Sequence, residues 1–155
     1  MDPQHGGYTF TDATPAMRAQ LTAKLNAPGR HRLSEQIFHL DDGFTIVAVL
    51  NGLPVGVVSI VWKTLPAPLG DSKEAFIDLI DVDPEHRRHG IAHHLIDLAS
   101  ERARRHGATQ LRGWTSCDRP EALHFWRSLH FTLCPAEVHP LPNLTVQGFY
   151  IAKRL

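Results

Sequence analysis

The chain has 155 residues, enough for one domain with its own core, and this predicts a single domain over residues 1–155. Its 16 basic and 16 acidic residues balance, so no nucleic-acid or membrane partner is expected and any affinity for phosphate must be local. No apolar run approaches the ~20 residues of a membrane span, the polar N-terminus is no signal peptide, and Cys117 and Cys134 are too few for a disulfide framework, which together predict a cytoplasmic protein.

The N-terminal region predicts one short strand and two helices. Residues 1–7 are Gly-rich and expected to be disordered, and Tyr8–Thr11 can form a first strand. Thr14 followed by Pro15 is typical of a helix start. Apolar residues then recur at helical spacing, at Met17, Leu21 and Leu25. Arg30–Leu40 gives a second, weaker helical pattern.

A β-hairpin follows. Phe44–Leu50 and Pro54–Trp62 are rich in β-branched residues and are joined by Asn51-Gly52, the strongest short-range hairpin signal. Lys63–Ser72 contains two prolines and a glycine, which predicts a loop long enough to reach a neighbouring site.

The centre of the chain predicts a buried strand and an amphipathic helix. Ala75–Val82 is apolar except for Asp78 and Asp81, as in a strand covered on both faces. A helix of about four turns is expected from Ile91 because its polar residues fall on one side. Gly107 follows as a plausible left-handed cap.

The C-terminal region predicts three strands and a helix. Thr109–Ser116 should lie parallel to the central strand through a right-handed crossover. Glu121–Leu129 is a helical pattern, and Phe131–Leu133 is a short strand. A connection marked by prolines then leads to a last strand, Leu144–Lys153.

The segment between the central strand and its helix has the chemistry of an anion site. The first turn of a helix carries four N–H groups without intrahelical partners and a partial positive charge. Gly90 lets the backbone approach a ligand, Ala92 keeps the next turn slim, and Arg87 and Arg88 add positive charge. The pattern favours a loop around a phosphate or pyrophosphate; an ordinary helix start with solvated arginines is the alternative. Neither a Walker loop nor a G-x-G-x-x-G fingerprint is present.

Val82, Pro84, Arg87, Gly90 and Ala92 match the pattern Val-x-Pro-x-x-Arg-x-x-Gly-x-Gly/Ala. This segment resembles the acyl-CoA loop of the GCN5-related N-acetyltransferases (GNAT), and it has the required context between a buried strand and a helix. The resemblance implies an α/β (α+β) fold with a mixed, mostly antiparallel sheet of about 6–7 strands flanked by helices. It also implies a splayed parallel strand pair, and acetyl-CoA as co-substrate.

The resemblance further implies where acetyl-CoA binds. The main chain of the central strand would pair with the pantetheine arm, and the pyrophosphate would lie over residues 87–92. The residues expected to contact the cofactor are Ile80, Asp81, Val82, Arg87, Arg88, His89, Gly90, Ile91, Ala92, His93, Arg119, Phe125 and Trp126.

The implied reaction is direct attack of an amine on the thioester, which transfers the acetyl group to a small molecule or a peptide. It needs a neutral amine, donors for the developing oxyanion and a proton for the leaving thiolate. Asp78 lies where the family often places its base, and desolvation in an apolar strand would raise its pKa. A structural carboxylate is the alternative reading, and Asp81 is the competing base.

A second family pattern, Asn-x-x-Ala-x-x-Phe/Leu-Tyr, is only partly kept. Ala122 and Phe125 match, but Arg119 replaces the asparagine and Trp126 the tyrosine. Arg119 could contact a CoA phosphate or lie in solvent. The tyrosine often protonates the CoA sulfur, and an indole N–H has no usable acidity. Cys117 and Tyr150 are the substitute acids to test, although packing roles suit both.

His89 and His93 have a spacing that can chelate a metal, but no third ligand is apparent and no metal is predicted. Two function classes stay open. One is an acetyl-CoA-dependent N-acyltransferase. The other is a non-catalytic acyl-CoA-binding or protein-interaction domain on the same fold, which the missing tyrosine and asparagine keep open. Family members often pair, so a homodimer is also open.

Overall fold

Seven strands and three α-helices follow one another in the computed structural model, which describes residues 6–26 and 38–155. The elements in chain order are β1 (Thr9–Asp12), α1 (Pro15–Leu25), β2 (Gly43–Leu50), β3 (Leu53–Thr64), β4 (Lys73–Val82), α2 (Ile91–Arg105), β5 (Ala108–Ser116), α3 (Pro120–Ser128), β6 (Thr132–Leu141) and β7 (Leu144–Arg154). A short 3-10 helix, Pro84–His86, precedes α2. Within the same residues, no helix is both long and apolar enough to cross a membrane.

The strands form one mixed sheet in the order β1-β2-β3-β4-β5-β7-β6. β4 and β5 are parallel, whereas β1–β2, β2–β3, β5–β7 and β6–β7 are antiparallel. The parallel register ends with Ile77 opposite Gly113, although β4 continues to Val82 and β5 to Ser116. The predicted fold class, a mostly antiparallel sheet of 6–7 strands with one parallel pair and flanking helices, is confirmed.

Helix α1 begins and packs as its sequence predicts. The Thr14 hydroxyl accepts a hydrogen bond from the Met17 N–H at 3.2 Å, and Pro15 occupies the first turn, where its missing N–H costs nothing. Leu21 and Leu25 are buried in an apolar cluster. The predicted second helix, Arg30–Leu40, and the predicted disorder of residues 1–7 fall largely outside the described residues.

The predicted hairpin is confirmed, with longer strands. Asn51 and Gly52 have φ values of 50° and 81°, the left-handed pair that a two-residue hairpin turn requires. Because β3 continues to Thr64, the predicted loop Lys63–Ser72 is shorter than expected and begins after that residue.

The prediction for the end of the chain was wrong in one respect. The short strand predicted at Phe131–Leu133 is the start of β6, which runs through Pro135 and Pro140 to Leu141. Proline removes a main-chain donor and is tolerated only where that donor has no strand to face. Since β6 lies at the edge of the sheet, the segment interpreted as a connection can be a strand.

The chain divides into two compact units, each considered by itself below. Unit 1 comprises residues up to Trp62 together with Asp78–Arg102, and unit 2 comprises Lys63–Ile77 and Ala103–Leu155. The single domain expected from the sequence stays a prediction.

Candidate active site

The predicted coenzyme loop, between β4 and α2 in unit 1, is fixed at its entrance. The Asp83 N–H donates to the Val55 carbonyl at 2.9 Å, and the Asp83 carboxylate pairs with Lys24 near the end of α1. Lys24 also donates to the Pro54 carbonyl at 3.0 Å. The point where the chain leaves β4 is therefore held by both β3 and α1.

The middle of this loop presents main-chain donors. Arg88 and Gly90 have φ values of 70° and 77°, and both residues are exposed. Such a conformation is uncommon for a residue with a side chain and often marks a functional loop. The N–H groups of residues 88–92 donate to no other part of the described chain. The loop therefore has the exposed glycine and the available amides that the anion-site interpretation requires.

Arg87 has a contact that the sequence did not predict. Its Nε donates to the Val82 carbonyl at 2.9 Å, and one terminal nitrogen lies 3.8 Å from an Asp81 carboxylate oxygen. This guanidinium therefore ties the loop to the end of β4. Its side chain is 56% exposed, so its remaining N–H groups can still face an anion.

A glycine on β3 sets how closely α2 approaches the sheet. A Cβ at Gly56 would lie 3.0 Å from Ile91 and 3.4 Å from both Ala48 and Val82. Ile91, the first residue of α2, is fully buried there. Gly56 thus lets the start of α2, with its free N–H groups, lie against the strands.

Histidines of the loop contact the N-terminal strand region and one another. The Tyr8 hydroxyl lies 3.1 Å from Nδ1 of His86, and Nδ1 of His89 lies 3.2 Å from the His86 carbonyl. His93 is exposed on the first turn of α2. In the part of the chain that the structure describes, no group of three His, Cys, Asp or Glu could hold a metal ion.

Asp78, the predicted base, is not buried. The residue is exposed in the middle of β4 and its side chain is 28% exposed, whereas its apolar neighbours in the sequence led us to expect burial. Its Oδ2 lies 2.6 Å from Nε2 of His39, whose Nδ1 lies 2.9 and 3.0 Å from the two carboxylate oxygens of Asp42. Asp78 therefore belongs to a carboxylate–imidazole–carboxylate cluster in unit 1.

In unit 2, Trp126 is a core residue. It is 4% exposed, and its ring packs edge-on against Phe125 and Phe131, with centroids at 4.9 and 5.0 Å. Phe125 itself is half-buried. The residue at the position of the family's tyrosine is thus a packed core residue.

The other predicted residues of unit 2 lie in more open surroundings. Cys117 and Arg119 are exposed, before and at the start of α3. Tyr150 on β7 is half-buried, and the Arg112 guanidinium stacks on its ring at 4.9 Å.

Arg112 also forms the main ion pair of unit 2. Its Nε and Nη2 donate to the two oxygens of Glu74 at 2.9 and 2.6 Å, and Gln110 donates to the same carboxylate at 2.7 Å. Burial opposes ionisation of Glu74, but the hydrogen bonds from Arg112 and Gln110 and the charges of Arg112 and Lys63 outweigh it and lower its pKa. Hydrogen bonding to Glu74 in turn raises the pKa of Arg112.

Within unit 1, the structure brings together the predicted loop residues, and it connects Asp78 to Asp42 through His39, two residues that the sequence did not single out. His39 and Asp42 lie far from Asp78 along the chain, and no motif marks them. Gly56 was also missed; a glycine inside a β-branched strand pattern was the available signal for a close approach.

Comparison with known proteins agrees with this fold. The family model described as acetyltransferase (GNAT) matches residues 12–131. No curated protein matches the sequence significantly. Among solved structures, Arabidopsis thaliana NAA60 in complex with acetyl-CoA is similar, with a TM-score of 0.81 and 13% identity over 96% of this chain and 99% of that one.

Two bacterial enzymes also share the fold, with lower TM-scores. The ribosomal-protein-alanine N-acetyltransferase from Brucella melitensis has a TM-score of 0.74 and 20% identity over 95% of this chain and 99% of its own. The ribosomal-protein-S18-alanine N-acetyltransferase from Escherichia coli has a TM-score of 0.74 and 15% identity over 95% and 93%. Because the family model covers most of the sequence, the chain belongs to the GNAT family of acetyltransferases.

Proposed function

We propose that the protein transfers the acetyl group of acetyl-CoA to a primary amine of a small molecule or a peptide. The coenzyme loop carries this proposal: free N–H groups over residues 88–92, with Gly90 exposed and left-handed. A diphosphate placed there would accept several main-chain hydrogen bonds at the positive end of the α2 dipole. Acetyl-CoA is the co-substrate of the family.

The remaining cofactor contacts would come from β4, from side chains around the loop and from the start of α3. Ile80, Asp81 and Val82 lie past the end of the parallel register, where their main chain would pair with the pantetheine arm. Arg88, His89 and His93 are exposed around the loop and would face the phosphates. Arg119 is exposed at the start of α3 and is proposed as a further phosphate contact.

The reaction is direct attack of the amine nitrogen on the thioester carbonyl. The new C–N bond forms as the C–S bond breaks, the nitrogen loses a proton and the thiolate leaves. Asp78, exposed on β4, is the proposed base. The proposed acids for the thiolate are Cys117, which is exposed, and Tyr150, which is half-buried. Positioning the two substrates contributes several kcal/mol, about 7 or more in favourable cases.

The amine is assigned only by class. The enzymes from Brucella melitensis and Escherichia coli are named for an alanine of ribosomal proteins, and this supports a peptide amine as the first acceptor to test. A small-molecule amine is the other candidate. A cytoplasmic location and a homodimer stay predictions from the sequence.

The main alternative is a non-catalytic acyl-CoA-binding or protein-interaction domain. Trp126 favours it, because the buried indole leaves no acidic hydroxyl at the position of the family's tyrosine. Release of free CoA from acetyl-CoA distinguishes the two. The acceptors would be a peptide with a free N-terminal alanine, a lysine amide and 1,4-diaminobutane. Acetyl-CoA binding without turnover on any of them would favour the alternative.

Gly90→Glu tests the loop itself. We expect it to abolish acetyl-CoA binding in calorimetry, because it places a carboxylate among the phosphates. Gly107→Glu is the matched control, since Gly107 follows α2 with a φ of 79° and an added Cβ at either glycine would meet nothing within 4 Å. Gly90→Ala separates backbone strain from charge. Wild-type affinity in Gly90→Glu would contradict the assignment of the loop.

A further inference from the structure

The cluster around His39 has an unusual hydrogen balance. Both ring nitrogens face carboxylates, Nε2 towards Asp78 at 2.6 Å and Nδ1 towards Asp42 at 2.9 Å. A carboxylate oxygen accepts only, so each contact needs one hydrogen of its own. A neutral imidazole has one N–H, and two ionised carboxylates add none. The cluster therefore holds two hydrogens, either as an imidazolium between two carboxylates or as a neutral imidazole beside one protonated carboxyl group.

The backbone of His39 is held by two buried hydroxyl groups. Its N–H donates to Ser59 Oγ at 2.9 Å, and its carbonyl accepts from Thr45 Oγ1 at 2.8 Å. The two hydroxyl oxygens lie 2.8 Å apart. Since the hydrogen of Thr45 is used on the carbonyl, Ser59 must donate to Thr45. The three bonds form a closed ring, in which every donor and acceptor has a partner.

Exposure changes along the cluster in a way that suits proton movement. The side chains are 28% exposed at Asp78 and 8% at His39, but 66% at Asp42. A buried imidazole thus connects a carboxylate in the middle of β4 with one that is open to water. Asp42 is also fixed by its main chain, because its carbonyl accepts from the Trp62 N–H at 3.0 Å.

We propose that Asp78, His39 and Asp42 form a proton relay, in which Asp78 takes a proton from the acceptor ammonium and Asp42 releases one to water. The inference rests on the proposed function and adds His39 and Asp42 to it as positioning residues. No sequence motif or family pattern used above contains either residue.

The step balances without a further reactant. The ammonium nitrogen gives one proton to the free oxygen of Asp78, and its electron pair becomes available for the thioester carbonyl. The imidazolium gives its Nδ1 proton to Asp42, whose carboxyl group then donates back to Nδ1, while Nε2–H stays bonded to Asp78. When Asp42 passes this proton to water, its carboxylate turns from Nδ1 towards solvent until the ring is protonated again, which its 66% exposed side chain allows. The net charge of the cluster is the same before and after. Proton uptake by Asp78 therefore leaves no additional charge on the buried imidazole or its partners.

Asp42→Asn is the test, with Asp41→Asn as its matched control, because Asp41 is the adjacent exposed carboxylate. We expect Asp42→Asn to lower kcat about tenfold and Asp78→Asn about 100-fold or more, with acetyl-CoA affinity unchanged in calorimetry. Both losses should shrink as pH rises and the free amine becomes abundant. If His39→Gln folds, its kcat should fall about as far as that of Asp78→Asn. If it does not fold, the test of the relay rests on Asp42→Asn.

A second readout does not depend on turnover. In free protein labelled with ¹⁵N at histidine, Asp42→Asn should move the ring-nitrogen resonances of His39 towards those of a neutral imidazole at fixed pH. Asp41→Asn should leave them as in the wild type. Asp42 and Asp78 are the charged groups shown within hydrogen-bonding distance of this ring, so a change can be assigned to the pair that was altered.

The outcomes separate the two proposals. If wild-type protein binds acetyl-CoA but acetylates none of the amines, the proposed function fails and the relay fails with it. If the wild type turns over and Asp42→Asn matches Asp41→Asn in kcat at every pH, the relay is overturned while the transferase stands. Unchanged His39 resonances in Asp42→Asn would also overturn it.

Discussion

Two buried hydroxyl groups in the strands of unit 1 hold the backbone of His39 in place. Ser59 is fully buried and Thr45 nearly so, among apolar residues of β2 and β3. An unsatisfied hydroxyl in such surroundings would cost stability. The ring that they form with His39 satisfies both, and it fixes the backbone of the residue that contacts Asp78.

Ser59→Ala tests this ring. Removing the hydroxyl leaves the His39 N–H without its acceptor, so we expect the free energy of unfolding to fall by about 1–3 kcal/mol. Denaturant titration measures the loss. Asp42→Asn, on an exposed side chain, should change it far less. A free energy of unfolding equal to that of the wild type in Ser59→Ala would contradict the role given to the ring.

At this scale the sequence predicted single groups but not their partners. Asp78 could be identified because it interrupts an apolar strand. Its exposure could not, since the local pattern of apolar neighbours describes the strand and not what covers each face. His39 contacts it across 39 residues, and no periodicity relates residues at that separation. The free amides of the loop were predictable because they follow from helix geometry itself.

The parallel pair β4–β5 in unit 2 is held by an ion pair as well as by its ladder. Glu74 is 1% exposed and lies opposite Gln110 in the register, and Arg112 binds it with two nitrogens. A carboxylate buried in this way is stable only while its partners are present. The cluster therefore links the ionisation of one residue to the stability of two strands.

This link gives a pH dependence with a definite sign. The folded pKa of Glu74 lies below its ordinary value of 4.5, so its contribution is complete above the unfolded pKa and is lost as pH falls through the folded value. Glu74→Gln should lower the free energy of unfolding by about 3 kcal/mol at neutral pH. The difference in unfolding free energy between the wild type and this variant should become smaller in acid. Denaturant titrations from neutral pH to about pH 3 test this, with exposed Glu121→Gln as control. If the difference between wild type and Glu74→Gln did not change with pH, the role given to ionised Glu74 would be contradicted.

Element boundaries were predictable where a residue dictates the backbone. The hairpin at Asn51-Gly52 and the start of α1 at Thr14 and Pro15 were found because each residue type suits one conformation. The prediction of β6 was wrong because its prolines were taken to exclude a strand. Proline is excluded from central strands but not from an edge strand. Strand order is set by long-range pairing, which local patterns do not contain.

Across the whole chain, the family follows from a pattern spread over most of the sequence, whereas the acceptor does not. The family model extends over residues 12–131 and the coenzyme loop lies within it. The helix predicted at Arg30–Leu40 lies mostly outside the described residues, and the loop predicted at Lys63–Ser72 carries no motif that identifies an acceptor. Ligand binding to the entire protein is therefore a better first test than any single acceptor.

Acetyl-CoA should raise the thermal stability of the protein by linkage, because it binds the folded chain only. At 100 times its Kd, the gain is about 2.7 kcal/mol, which for a chain of this length raises Tm by about 5–10 °C. S-acetylpantetheine at the same concentration lacks the diphosphate and should give a much smaller rise. Gly90→Glu should abolish the rise with acetyl-CoA and Gly107→Glu should keep it. Equal shifts from the two thioesters would mean that the amides of residues 88–92 do not bind the diphosphate, because only one of the ligands carries it.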